Sequence, residues 1–141
     1  MNRLTPVQTV NAFIGFLCAR DFESAFALCA DDMEFENVPF EPSVNRGRDV
    51  IRARLESAYT WLVRAEYEIH FEIERDGAIV NERLDRHWFD DGLYAEVRVM
   101  GRWKVTDGKI TLWRDYFDAD QWHRNFNGGF GAYLERRASD A

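Results

Sequence analysis

Three Asp-Gly pairs, Asp76-Gly77, Asp91-Gly92 and Asp107-Gly108, punctuate the second half of the chain. A tight hairpin turn needs positive φ at its central residues and a twist that matches the flanking strands. An Asp-Gly pair between alternating runs is therefore a strong local signal for a hairpin. Ahead of the first pair, Tyr67, Ile69, Phe71 and Ile73 alternate with Glu66, Glu68, His70, Glu72 and Glu74. That period of two belongs to a strand with one buried face. The spacing predicts a four-stranded antiparallel meander over about 65–75, 78–89, 93–105 and 109–117.

The first half has a different period. Thr5-Pro6-Val7-Gln8 combines a capping threonine, a proline suited to the first turn and a glutamine that completes a capping box, so a helix is expected to run to about Arg20. Asp21 opens a second, in which Phe22, Ala25, Phe26 and Cys29 recur on one face until Asp31-Asp32 ends it. Residues 33–38 read as a short strand, and Pro39 and Pro42 impose an irregular passage. A third helix begins at Asp49, with Ile51, Leu55, Ala58 and Leu62 on its apolar side. Ala119 to Phe126 reads as a closing helix, and Asn127-Gly128-Gly129 breaks the chain before a short tail ending in Ala141. Helices followed by a meander imply an α+β fold: a strongly curved mixed or antiparallel β-sheet with three N-terminal helices packed on it, forming a cone-shaped pocket. The whole of 1–141 is expected to be one domain, with 119–141 closing the pocket.

Composition narrows the function. At 141 residues, 46% hydrophobic and 15% aromatic, the chain has enough apolar mass for one core. Its net charge of −7 and lack of a basic stripe argue against nucleic acid as a partner. Cys18 and Cys29 have no CxxC spacing and no histidine partner, so they read as buried thiols rather than metal ligands. The stretch from Met1 to Pro6 lacks the apolar core of a signal peptide, and no run approaches the ~18 apolar residues of a membrane span. A soluble, cytoplasmic protein is expected, with no metal or cofactor.

Chemistry concentrates in two segments, Asn81-Glu82-Arg83-Leu84-Asp85 and Trp113-Arg114-Asp115-Tyr116-Phe117-Asp118. Alternation puts Asn81, Arg83, Asp85 and His87 on one face of their strand, and Trp113, Asp115 and Phe117 on one face of theirs. If the strands are near neighbours, an arginine stands beside two aspartates. Such a trio can be an ion-pair network with no chemistry. It can also be an acid-base site, because mutual repulsion keeps one carboxyl protonated while the guanidinium holds the other ionised. Asn37 sits on a strand, where an amide needs partners. Trp113 and Phe117 flank Asp115 and are expected to wall the pocket, with Phe35, His87 and Phe89 as further lining. Glu82, His70 and His123 are placed away from it.

These two segments resemble those of the limonene-1,2-epoxide hydrolase family, within the superfamily of nuclear transport factor two and polyketide-cyclase-like (SnoaL-like) proteins. The order of elements matches from the first helix to about Asp118. The resemblance implies an epoxide hydrolase that adds water to a small or medium apolar epoxide in one step, without a cofactor or a covalent intermediate. By position, Asp115 resembles the base acting on water, Asp85 the acid on the epoxide oxygen, Arg83 their bridge and Asn37 the amide that helps hold the water. The family commonly has a tyrosine where this chain has Phe35, so one hydrogen bond to the water is missing. Other readings are an isomerase-like or cyclase-like enzyme of the same cone fold, or a non-catalytic pocket for an apolar ligand. Val80, Leu84 and Trp88 form an apolar row on the opposite strand face, and the family is commonly dimeric through its sheet, so a homodimer is expected.

Overall fold

The computed structural model describes residues 3–40 and 43–140; Pro42 and Ala141 lie outside the described residues. Helices α1 (Pro6–Cys18) and α2 (Phe22–Ala27) lead into strand β1 (Cys29–Asn37), followed by β2 (Asn45–Arg46) and α3 (Arg48–Ala58). Strands β3 (Leu62–Arg75), β4 (Ala78–Phe89), β5 (Tyr94–Thr106) and β6 (Lys109–Phe117) come next, then α4 (Ala119–His123) and α5 (Phe130–Ser139). The α1 start carries the expected capping box: the backbone N–H of Gln8 donates to Thr5 Oγ1 at 3.2 Å, and that of Thr5 donates to Gln8 Oε1 at 2.9 Å.

The expected meander of β3 to β6 is extended by β1 and β2 into one six-stranded mixed sheet, in the order β2-β1-β6-β5-β4-β3, and with the helices it makes the expected α+β fold. Strand β1 runs parallel to β6, and the other neighbouring pairs among the described residues are antiparallel. Two of the Asp-Gly pairs make tight turns with positive φ at both residues, 52° and 81° at Asp76-Gly77 and 52° and 79° at Asp107-Gly108. At Asp91-Gly92 the turn is wider, and only the glycine, at φ 85°, is left-handed.

Three expectations are corrected. Cys29 opens β1 instead of closing α2: it pairs with Ile110, and the Ile110 N–H donates to the carbonyl of Leu28 at 2.9 Å, so sheet pairing overrides the poor strand propensity of Ala30-Asp31-Asp32. Secondly, Tyr67, Ile69, Phe71 and Ile73 do not share a face. The register against β4 slips between Ile69, which pairs with Arg83, and Phe71, which pairs with Glu82. This bulge at His70 turns the rest of β3 over, leaving Phe71 and Ile73 on the convex face, 55% and 56% exposed. Thirdly, the stretch after Gly129, read only as a short tail, is helical. It forms α5, whose Phe130, Tyr133, Leu134 and Arg137 recur at helical spacing.

Helices cover the concave face of the sheet in two groups. In one, Phe13 of α1 packs edge-on against Phe26, Trp103 and Trp113 at ring separations of 5.3–5.7 Å, with Val10, Leu17, Met33 and Ile79 around it. In the other, Trp122 of α4, Tyr133 of α5 and Phe126 between them cover Phe89, Ala95 and Val97. Strand β6 ends opposite Val99, so the edge of β5 beyond it lacks a strand neighbour. Side chains after β6 satisfy that edge: Gln121 Oε1 accepts from the Arg98 N–H at 2.7 Å, and Asn125 bonds both the N–H and the C=O of Glu96. Among the described residues no helix is long and apolar enough to cross a membrane.

Candidate active site

Between the two apolar groups lies a cavity of about 380 Å³. Phe35, Leu55, Tyr59, Trp113, Phe117, Trp122 and Phe130 make its walls, and Asn37, Asp85, His87 and Asp115 supply polar atoms. Its floor depends on the sheet register. Strand β5 separates β4 from β6, so Arg83 and Asp115 are not on adjacent strands. Gly101 pairs with Asn81 on one side and Asp115 on the other, placing the three in a row across the concave face. Because Gly101 has no side chain, the Arg83 guanidinium can lie across β5 and reach β6. A Cβ at this position would come within 3.0 Å of Arg83 Nη1, Asn81 Oδ1 and Trp103 Nε1.

The guanidinium is fully engaged. Nε and Nη2 donate to the two oxygens of Asp85 at 2.9 and 2.8 Å, a bidentate pair. Nη1 and Nη2 donate to Asp115 at 3.3 and 3.0 Å, and Nη1 also donates to Asn81 Oδ1 at 2.9 Å. That same amide oxygen accepts from the Trp103 indole N–H at 3.2 Å. Tyr67 and Trp103 flank the guanidinium with their rings, at 5.3 and 6.0 Å from its carbon. Arg83 is buried behind the two carboxyls, so the cavity floor presents carboxyl oxygens, while Arg54 lies elsewhere on the lining.

One positive and two negative charges would leave a buried net charge of −1, which low-dielectric surroundings disfavour. Burial accordingly pushes the carboxyl of Asp85 above its usual range, against the pull of Arg83. Burial also raises Asp115, opposed by Arg83 and reinforced by the charge of Asp85. The Arg83 pKa is raised further above an already high value: burial opposes its charge, but Asp115 and Asp85 outweigh it. Both carboxyls are thus shifted towards the protonated form, and the pair titrates as a unit. Burial also raises the phenols of Tyr59 and Tyr67, which stay neutral.

The structure gathers most of the residues singled out in the sequence. Asn37 pairs with Asp115 across β1 and β6 and borders the cavity, while Phe35 pairs with Trp113 and packs on its ring at 4.3 Å. Phe117 and His87 line the cavity too. Phe89 does not: although it points to the same side of β4, it lies beyond the cavity and packs against Phe126 and Tyr133, at 5.9 and 5.3 Å. Sequence reasoning missed Gly101, whose signal was a glycine at an inward strand position. It also missed Tyr59, Tyr67, Trp122 and Phe130, whose place depends on how helices dock. Among the described residues no cluster of three or more His, Cys, Asp or Glu side chains could hold a metal ion.

Comparison with known proteins agrees with this geometry. Residues 4–126 match the family model of the limonene-1,2-epoxide hydrolase catalytic domain. The epoxide hydrolase EphG of Mycobacterium tuberculosis is 39% identical over 110 residues, covering 77% of this chain and 70% of EphG. The solved structure of an M. tuberculosis limonene-epoxide-hydrolase-like epoxide hydrolase superposes with a TM-score of 0.76 at 31% identity, covering 93% of this chain and 96% of that one. A putative SnoaL-like polyketide cyclase from Shewanella denitrificans shares the fold, with a TM-score of 0.75 at 13% identity over 82% of this chain and 92% of its own. Family match, sequence identity and superposition converge: this chain belongs to the limonene-1,2-epoxide hydrolase family and is a hydrolase acting on epoxides.

Proposed function

We propose that the chain adds water to an epoxide with a largely apolar body, giving a vicinal diol in one step. The observation that carries this reading is the pair of buried carboxyls joined by one guanidinium at the floor of an aromatic cavity. In the proposed reaction Asp115 takes a proton from a water held also by Asn37. The water oxygen forms a bond to one epoxide carbon as that carbon's ring C–O bond breaks, and Asp85 delivers its proton to the departing oxygen. Asp115 ends with the proton that Asp85 lost, so the pair keeps its count and resets by exchange with solvent. A strained ring needs a positioned nucleophile on one side and an acid on the other, and the carboxyl pair supplies both.

The shorter contacts of Arg83 to Asp85 favour its ionised form. For a coupled pair, the bound molecules decide the proton's place. A water donating to Asp115 stabilises the carboxylate there. An epoxide oxygen, which only accepts hydrogen bonds, favours the acid form of Asp85. Diol formation from limonene oxide, cyclohexene oxide, styrene oxide and a larger steroid-like epoxide tests the scheme. Asp115→Asn and Asp85→Asn are each expected to lower kcat/KM by on the order of 10²–10⁴. Retained activity in either variant would refute the assignment.

The same reading includes a homodimer formed through the convex sheet face, where Phe71, Ile73, Met100 and Tyr116 are exposed beside Val80 and Leu84. It also places the enzyme in the cytoplasm, a reducing compartment that suits the free thiols of Cys18 and Cys29.

A further inference from the structure

The acid-base scheme uses the floor of the cavity and leaves polar groups on its wall without a task, among them Asn45, Arg54, Tyr59 and His87. His87 follows Asp85 by two residues on the same face of β4, lines the cavity and is 2% exposed. Neither Nδ1 nor Nε2 has a hydrogen-bond partner among the described residues. The ring is fixed in position: Tyr59 stacks on it at 5.5 Å and 11°, and Trp122 and Tyr67 meet it edge-on at 5.1 and 5.7 Å. A leucine or phenylalanine would fill this place without burying polar atoms, which is unfavourable when they are left unmatched. Burial lowers the His87 pKa to about 4, against a weaker upward pull from the Ala95 backbone, whose approach falls short of hydrogen-bond geometry. The neutral ring therefore offers the cavity one N–H donor and one bare nitrogen. A hydroxyl matches either tautomer, because it both donates and accepts. An ether or carbonyl oxygen matches only the donor.

We propose that His87 is a specificity-determining residue that recognises a hydroxyl on the substrate, so that the preferred substrate is a hydroxy-epoxide and its product a triol. This rests on the epoxide-hydrolysis reading and adds a second recognition point to it. Along a strand, two residues span ~6.6 Å. The hydroxyl then sits roughly one substituted six-membered ring away from the oxirane oxygen at Asp85. The remainder of the molecule contacts Phe35, Trp113, Phe117 and Trp122 and stays apolar.

A matched pair of probes tests this: a cyclohexene oxide with a hydroxymethyl group across the ring from the epoxide, and its ethyl isostere. The wild type is expected to favour the hydroxymethyl compound by about tenfold or more in kcat/KM, mainly through KM. His87→Leu should bring the ratio to about one or below, and His87→Gln, which keeps a donor and an acceptor, should retain part of it. A purely structural role for His87 would lower both substrates together and leave the ratio unmoved. An unchanged ratio in His87→Leu overturns the inference while leaving epoxide hydrolysis intact. If neither probe is hydrolysed, the reaction itself is wrong. Calorimetric affinities of the triol and of its ethyl diol counterpart, for the wild type and His87→Leu, then judge the hydroxyl site separately. Equal affinities would overturn it.

Discussion

Replacing Gly101 with alanine tests whether the guanidinium depends on an empty position in β5. The added methyl would lie within 3.0 Å of atoms on Arg83, Asn81 and Trp103, whose residues are 1%, 0% and 0% exposed. None can swing into solvent, and the Arg83 head is pinned at both carboxyls. Relief requires moving Nη1, which donates to Asn81 and Asp115. Weakening two hydrogen bonds from a charged donor costs about 3–6 kcal/mol before relaxation. Substituting alanine for glycine in a strand returns roughly 0.5–1 kcal/mol, and partial repacking recovers some of the remainder. A net loss of about 2–4 kcal/mol is expected, a large part of a typical 5–15 kcal/mol stability. Urea denaturation should show a lower midpoint, and diol formation should fall along with it. Gly15 is the control: it lies in α1, and a Cβ there meets nothing within 4 Å. Gly15→Ala should stabilise by roughly 0.5–1 kcal/mol. A Gly101→Ala enzyme with the wild-type midpoint and turnover would refute the dependence of the site on this glycine.

Three further outcomes are expected. Phe35→Tyr restores a hydroxyl beside the proposed water site, and one added hydrogen bond of ~1 kcal/mol should raise kcat/KM about fivefold in a diol assay; no gain would mean the water is held elsewhere. His87 has a folded pKa of about 4, below the unfolded value of ~6.5, so its contribution is present above ~6.5 and is lost as pH falls towards 4. Urea midpoints measured across that window should fall less steeply for His87→Gln than for the wild type, the difference reaching at most roughly 3 kcal/mol. Phe71→Glu puts a charge on the convex apolar face, and light scattering at micromolar concentration should show the dimer mass of the wild type reduced to that of a monomer. A monomeric wild type would remove the proposed interface.

Local chemistry made much of this fold legible. The Asp-Gly pairs located the turns because left-handed backbone at consecutive positions admits few residue types, and the Thr5-Gln8 box located α1 because its two hydrogen bonds lie within four residues. Arg83, Asp85 and Asp115 were legible as charges inside apolar strands. What stayed hidden depends on pairing between distant segments. The alternation through Tyr67 to Ile73 is the same with or without a bulge, so only the register against β4 shows that Phe71 faces outward. The role of Gly101 depends on Arg83 lying across it from the neighbouring strand. The helical spacing of Phe130, Tyr133 and Arg137 is present in the sequence, but ten residues after a Gly-Gly break form a stable helix only by docking on the sheet, which local spacing does not show. The place of Phe89 beyond the cavity depends on where Phe126 and Tyr133 dock.

The proposed acid-base residues come from β4 and β6, with β5 between them, whereas Trp122, Phe130 and Leu134 above the cavity belong to the segment after the last strand. Central ladders open to hydrogen exchange only near global unfolding, while short terminal helices open at a fraction of that free energy. On the proposed reading, local opening of this roof would admit an epoxide and release a diol without loosening the carboxyl pair.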